Sequence, residues 1–182
     1  MNAVKKKLAA GKVVTMFNPD FASPRLVEHL AGFGLDGIAV PHVEDAAGAR
    51  KWVEVVRYAR PQDHAEKIVI VMVETPAALA LAGEIAAVPG VDVVNIGVND
   101  VAHAAGHPGE PEHPEVAKLV DQAIPRILKA RKTVALNVLG NWEERMPYLV
   151  SRGVRWLNVR ASTFIARGAK QYVQLLRNCE KK

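Results

Sequence analysis

Six short apolar runs punctuate this chain, at residues 13–17, 37–41, 68–73, 91–96, 133–138 and 155–159. They are rich in β-branched residues and apolar almost throughout. Strands of this kind are covered on both faces, as in parallel sheets; a half-exposed antiparallel strand would alternate apolar with polar. Between the runs lie stretches with helical patterning. Ser23-Pro24 and Thr75-Pro76 each place a hydroxyl N-cap before a proline at the first helical position, where the missing N–H costs nothing. Asp45 can cap a third helix. Helices are predicted from Pro24 to about Gly34 and over 46–59, 77–87, 115–131, 142–152 and 162–177, with Pro125 and Pro147 as distortions. Residues 102–114 read as a loop. Strand–helix alternation demands parallel pairing through helical crossovers. The expected fold is therefore α/β: a parallel sheet or barrel with about six βα units, formed by residues 1–182 as a single domain.

Composition narrows the function. The chain has 182 residues, 49% of them hydrophobic, enough for one core. A net charge of +5 raises the question of nucleic acid, but the basic residues are scattered and aromatics make up only 5%. Nucleic acid is not an expected partner. No apolar run reaches the roughly 18 residues of a membrane span. The single cysteine, Cys179, excludes a disulfide framework, and a cytoplasmic location is expected.

Parallel α/β sheets bind ligands beyond the carboxyl ends of their strands. The residues there are Asn18, His42, Glu74, Gly97 with Asn99 and Asp100, Asn137, and Arg160 with Asn158 just inside its strand. Glu74 ends a run, IVIVMV, in which five of six residues are β-branched. Glu74 and Asp100 follow neighbouring runs, and parallel strands lie about 4.8 Å apart. Two carboxylates that close repel unless a cation lies between them. A divalent ion answers this; Mg²⁺ or Mn²⁺ suits an oxygen site with open positions, and Co²⁺ is compatible. The pattern equally admits a Glu74 that only favours the helix N-terminus behind it, and an Asp100 that caps a turn. Gly97 either lets backbone N–H groups approach an anion or merely makes a tight turn. His42, His103, His107 and His113 read as solvated loop histidines. Lys67 and Lys132 precede strands, at the wrong end for a Schiff base.

Longer segments carry a resemblance. VMVETPAAL (71–79), NIGVNDVAHAAGHPGEPEHPEV (95–116) and GIAVPHVEDAAGAR (37–50) resemble the HpcH/HpaI aldolase/citrate lyase family. So do residues 8–36 and 149–173. The resemblance implies a class II, metal-dependent pyruvate aldolase on a (β/α)₈ barrel, assembled as a homo-oligomer through its C-terminal helix. It implies Glu74 and Asp100 as metal ligands, and Gly97, Asn99 and Asp100 on the substrate side, with backbone N–H groups of Asn99 and Asp100 holding a carboxylate. It implies cleavage of a 4-hydroxy-2-oxo acid to pyruvate and an aldehyde. The pattern departs after Gly34-Leu35-Asp36, where two βα units that carry a histidine and an arginine in the family are not visible. The family's glutamine two residues before the metal glutamate is Met72 here. Three readings follow: a shortened relative with altered activity, an engineered or internally deleted barrel, or a catalytically silent scaffold that binds a metal or 2-oxo acid. Arg160 is the candidate replacement for the missing arginine.

Overall fold

A computed structural model describes residues 2–18, 39–59, 61–62, 64–139 and 142–180. The expected helix after Ser23-Pro24 and the junction after Asp36 lie outside them. The strands are β1 (Val14–Asn18), β2 (Ala39–Val40), β3 (Ile70–Val73), β4 (Val93–Ile96), β5 (Thr133–Asn137) and β6 (Trp156–Arg160). They form one sheet, ordered β1-β6-β5-β4-β3-β2. Every pairing is parallel. Among the described residues β1 and β2 are its two outer strands.

The helices are α1 (Ala3–Ala9), α2 (Ala46–Ala59), α3 (Pro76–Ala80), α4 (Ala82–Ala87), α5 (Val98–Ala104), α6 (Pro114–Lys129), α7 (Trp142–Ser151) and α8 (Ala161–Glu180). The predicted caps form. The Gly48 N–H donates to Asp45 Oδ1 at 2.7 Å, and the Ala78 N–H to Thr75 Oγ1 at 3.1 Å. The helix predicted over 77–87 is two helices broken at Leu81. Arg126 of α6 donates to the carbonyls of Leu79 and Ala80, at 3.3 and 3.2 Å, and so satisfies the end of α3. Pro125 and Pro147 both sit inside continuous helices.

Two apolar layers result from the two-residue period of the strands. Val71, Val73, Val94, Ile96, Val134 and Leu136 face the helices and are buried with Leu79, Ile85, Ala123 and Ile127. Each such side chain contributes about 1.5–3 kcal/mol on burial. The opposite face collects Val14, Ile70, Val93, Ala135 and Trp156, closed over by Val4 and Leu8 of α1. Further along the same face stand Met72, Asn95, Asn137 and Asn158. Asn158 Nδ2 donates to Asn95 Oδ1 at 2.8 Å. These residues belong to β6 and β4, which flank β5, so a flat sheet would hold their backbones about 9.6 Å apart. Their side chains meet over the small Ala135, so the sheet curls toward this face. Layers drawn from alternate strands are how a β/α barrel fills its interior.

Candidate functional site

The period that places Ile70 and the half-buried Met72 on the concave face aims Glu74 there too, one residue past the end of β3. Glu74 is only 5% exposed. Two neighbours fix it. The His42 N–H, beyond β2, donates to Glu74 Oε2 at 2.7 Å, and His42 Nδ1 lies 3.3 Å from the same oxygen. His42 has φ 56, a left-handed conformation that turns its N–H toward the carboxylate. On the other side is Gly97, one residue past β4, whose N–H donates to the Val73 carbonyl at 3.0 Å. A Cβ at Gly97 would lie 2.7 Å from Glu74 Cγ. Only a bare backbone lets the glutamate side chain pass.

Asp100 stands three residues beyond Gly97, in the first turn of α5 and exposed to solvent. Glu74 and Asp100 thus rise from the same end of adjacent parallel strands. The Asp100 N–H closes back onto the Gly97 carbonyl at 3.0 Å, an engagement within the helix turn. Asn99 is half-buried. Arg160 ends β6, exposed, with β5 between its strand and β4. Thr75 donates its hydroxyl to Glu44 Oε2 at 2.6 Å, tying the β2–α2 connection to the rim. Lys67 and Lys132 are at the amino ends of β3 and β5, as expected; Lys132 Nζ donates to the Val91 carbonyl at 2.7 Å.

His42, which pattern reading set aside as a solvated loop histidine, has a side chain 77% exposed, and its backbone N–H holds Glu74. The signal was its position directly after the strand next to β3. His107 and His113 lie in the expected loop and are half-buried rather than fully solvated. Their rings stack with centroids 3.5 Å apart.

Among the described residues the concave face also holds buried polar atoms without a hydrogen-bond partner: Asn137 Oδ1, Asn158 Oδ1 and Trp156 Nε1. Buried polar groups are nearly always satisfied. A buried carboxylate on that face, steered by one N–H and a glycine, matches what an oxygen-seeking divalent ion requires of a donor.

A profile of the HpcH/HpaI aldolase/citrate lyase family matches residues 5–145. The chain belongs to this family. It is 35% identical over 134 residues to a hydroxypyruvate/pyruvate aldolase of Pseudomonas aeruginosa, covering 61% of this chain and 50% of that one. It is 30% identical over 176 residues to a 4-hydroxy-2-oxo-heptane-1,7-dioate aldolase of Shigella flexneri, covering 84% and 65%. The chain therefore spans about half the length of the first curated relatives it matches. Among solved structures, citrate synthase SbnG superposes with a TM-score of 0.82 at 16% identity, over 98% of this chain and 99% of that one. The protein CitE of Mycobacterium tuberculosis, in complex with magnesium and acetoacetate, superposes at 0.55 with 18% identity, over 83% and 63%. The fold is that of this TIM-barrel-like family, with the six-stranded sheet described above.

Proposed function

We propose that the chain is a divalent-metal-dependent lyase that cleaves or forms 4-hydroxy-2-oxo acids, with pyruvate as one product. The observation that carries this reading is Glu74: a buried carboxylate at the carboxyl end of β3, pressed on Gly97, with Asp100 at the same end of the next unit. Glu74 and Asp100 would hold the ion, and Mg²⁺ or Mn²⁺ fits oxygen donors best, with Co²⁺ compatible. Bound there, such an ion supplies Lewis acidity toward the oxygens of a 2-oxo acid.

The chain's own residues have separate tasks. The His42 N–H holds Glu74 Oε2 and leaves Oε1 facing Gly97. Gly97, Asn99 and Asp100 form the substrate side, with the missing side chain of Gly97 keeping the approach open. Asn137 and Asn158 offer unsatisfied oxygens deeper in the concave face. Arg160 is the candidate for stabilising negative charge on substrate oxygen; an Arg160→Ala variant with unchanged affinity for a 2-oxo acid removes it from that role. Assembly as a homo-oligomer accords with α8, where Phe164, Ile165, Tyr172, Val173 and Leu176 are exposed.

Pyruvate release from a 4-hydroxy-2-oxo acid tests the proposal. Turnover should vanish with EDTA, return with Mg²⁺ or Mn²⁺, and be lost in Glu74→Gln. Oxalate binding without turnover would establish a silent binder. Activity that persists in EDTA and is trapped by borohydride would establish imine chemistry instead.

A further inference from the structure

The connection between α5 and α6 has a period of its own. His107-Pro108, Glu110-Pro111 and His113-Pro114 recur every three residues. The backbone follows the same period. The Glu110 N–H donates to the His107 carbonyl at 3.1 Å, and the His113 N–H to the Glu110 carbonyl at 3.0 Å. Residues 107–110 and 110–113 are thus two consecutive β-turns sharing Glu110. Gly109, with φ 81 after Pro108, supplies the left-handed third position of a type II turn. Three prolines fix φ along the segment and bias the residue before each one to an extended conformation. The three corner residues are His107, Glu110 and His113, and a ligand atom from each lies within 4.8 Å of the others. Both histidines are half-buried.

The hydrogen bonds of the two rings add a second observation. His107 Nε2 lies 2.9 Å from Glu115 Oε2, which leaves Nδ1 as its open nitrogen. His113 Nδ1 accepts the Glu115 N–H at 3.3 Å, which puts the ring proton on Nε2, so an ion takes His113 through Nδ1 in place of that long cap, or through Nε2 once the proton has moved to Nδ1. Glu115 thus touches both rings, and its carboxylate supports His107. A carboxylate on the far nitrogen of a histidine is the usual support of a metal-ligating imidazole, because it fixes the tautomer and raises the basicity of the other nitrogen. Leu139, just past β5, lines the cavity beside Glu110 and His113, so the segment sits at the carboxyl end of the sheet.

We propose that His107, Glu110 and His113 form a binding site for a borderline divalent ion of the Zn²⁺ type, separate from Glu74 and Asp100. Two imidazoles and one carboxylate select Zn²⁺ over Mg²⁺, which favours oxygen and retains its waters. Among the described residues Asp100 is not one of those whose ligand atoms converge there. Ring nitrogens bind along lone pairs in the ring plane, so two rings on one ion at about 2.1 Å diverge. Ion entry therefore opens the 3.5 Å stack by rotating the side chains, while the paired turns hold the backbone. The bound ion would clip the rim segment to the start of α6.

The test uses the full chain, with saturating Mg²⁺ to occupy oxygen sites and Zn²⁺ as the titrant. Ring ¹⁵N signals of His107 and His113 in the unmutated protein should both move with one equivalent of Zn²⁺. Calorimetry should show that Glu74→Gln keeps this equivalent. Affinity should fall about tenfold in Glu115→Gln, and further in His107→Gln. His113→Asn should lose it while keeping a side-chain cap on α6. Ring signals that ignore Zn²⁺, or a His107→Gln variant that binds Zn²⁺ as tightly as the unmutated chain, would overturn the proposal. The ring signals decide the matter even if a variant does not fold.

Discussion

Replacing Gly97 with alanine isolates the packing of Glu74 from every other property of the site. The backbone accepts the change: Gly97 has φ −82 and ψ 77, open to any residue. The cost falls on one neighbour. The new Cβ would lie 2.7 Å from Glu74 Cγ, 3.1 Å from Oε1 and 3.3 Å from Cδ. Carbon pairs rest at about 3.5–4.0 Å, so the glutamate must retreat by about 1 Å. It is buried and tied to the His42 N–H at 2.7 Å, so it cannot simply swing into solvent. Overpacking of this size costs about 1–3 kcal/mol, offset by about 0.4–1 kcal/mol from the reduced freedom of the unfolded chain. A net loss of about 1–2 kcal/mol lowers Tm by roughly 2–8 °C for a chain of this length. A 1 Å misplacement at a reacting centre costs about 100-fold in rate, near 2.7 kcal/mol. Gly97→Ala should thus melt only slightly early by circular dichroism. Its kcat/KM for pyruvate formation, read through coupled NADH oxidation, should drop about 100-fold, together with weaker Mn²⁺ binding. Full turnover and unchanged Mn²⁺ affinity in a folded Gly97→Ala would refute the assignment of Glu74 to the site.

Gly83→Ala offers the contrast. Its Cβ meets Arg126 Cβ at 3.4 Å, a contact that small adjustment relieves, so better helix propensity should stabilise the fold by about 0.5–1 kcal/mol in urea titration, with turnover unchanged. Asn158→Leu strips the buried Asn95 oxygen of its donor and should cost about 1–3 kcal/mol, seen as a calorimetric Tm lowered by several degrees. The hydrogen bond from Arg167 holds the Glu143 carboxyl below its ordinary 4.5, its backbone hydrogen bond and the guanidinium charge assisting. This link stabilises the fold above that ordinary value and is lost as pH falls through the lowered one. Because Arg167 also lies 4.5 Å over the Trp142 ring, tryptophan fluorescence should show an acid transition below pH 4.5 that Arg167→Gln abolishes.

The strands, their parallel order and the caps at Asp45 and Thr75 were readable because each rests on local chemistry: β-branched runs, a hydroxyl or carboxylate before a helix, a proline at its first turn. Glu74 stood out because a carboxylate ending an apolar strand has few reasons to be there. What escaped is what depends on partners distant in sequence. The carbonyls at the break before Leu81 are met by Arg126, more than forty residues away. His42 reaches Glu74 only because β2 lies beside β3 in the sheet. Helix α5 was not predicted, and its last three residues fall in the predicted loop over 102–114, where Gly106 and Pro108 punctuate its far end. Helix α1 shows a lysine run rather than an apolar stripe, yet Val4 and Leu8 suffice to seat it. The histidines at 107 and 113 read as loop residues, and the period of three that joins them through Glu110 is a property of paired turns.

The seat of α1 governs traffic as well as packing. Val4 and Leu8 stopper the floor of the curled sheet, and Lys5 pins the stopper through Asp92 at 3.2 Å and the Ala65 carbonyl at 3.0 Å. Among the described residues the amino end of the concave face is therefore sealed, and Glu74 and Asp100 stand at its opposite, carboxyl end.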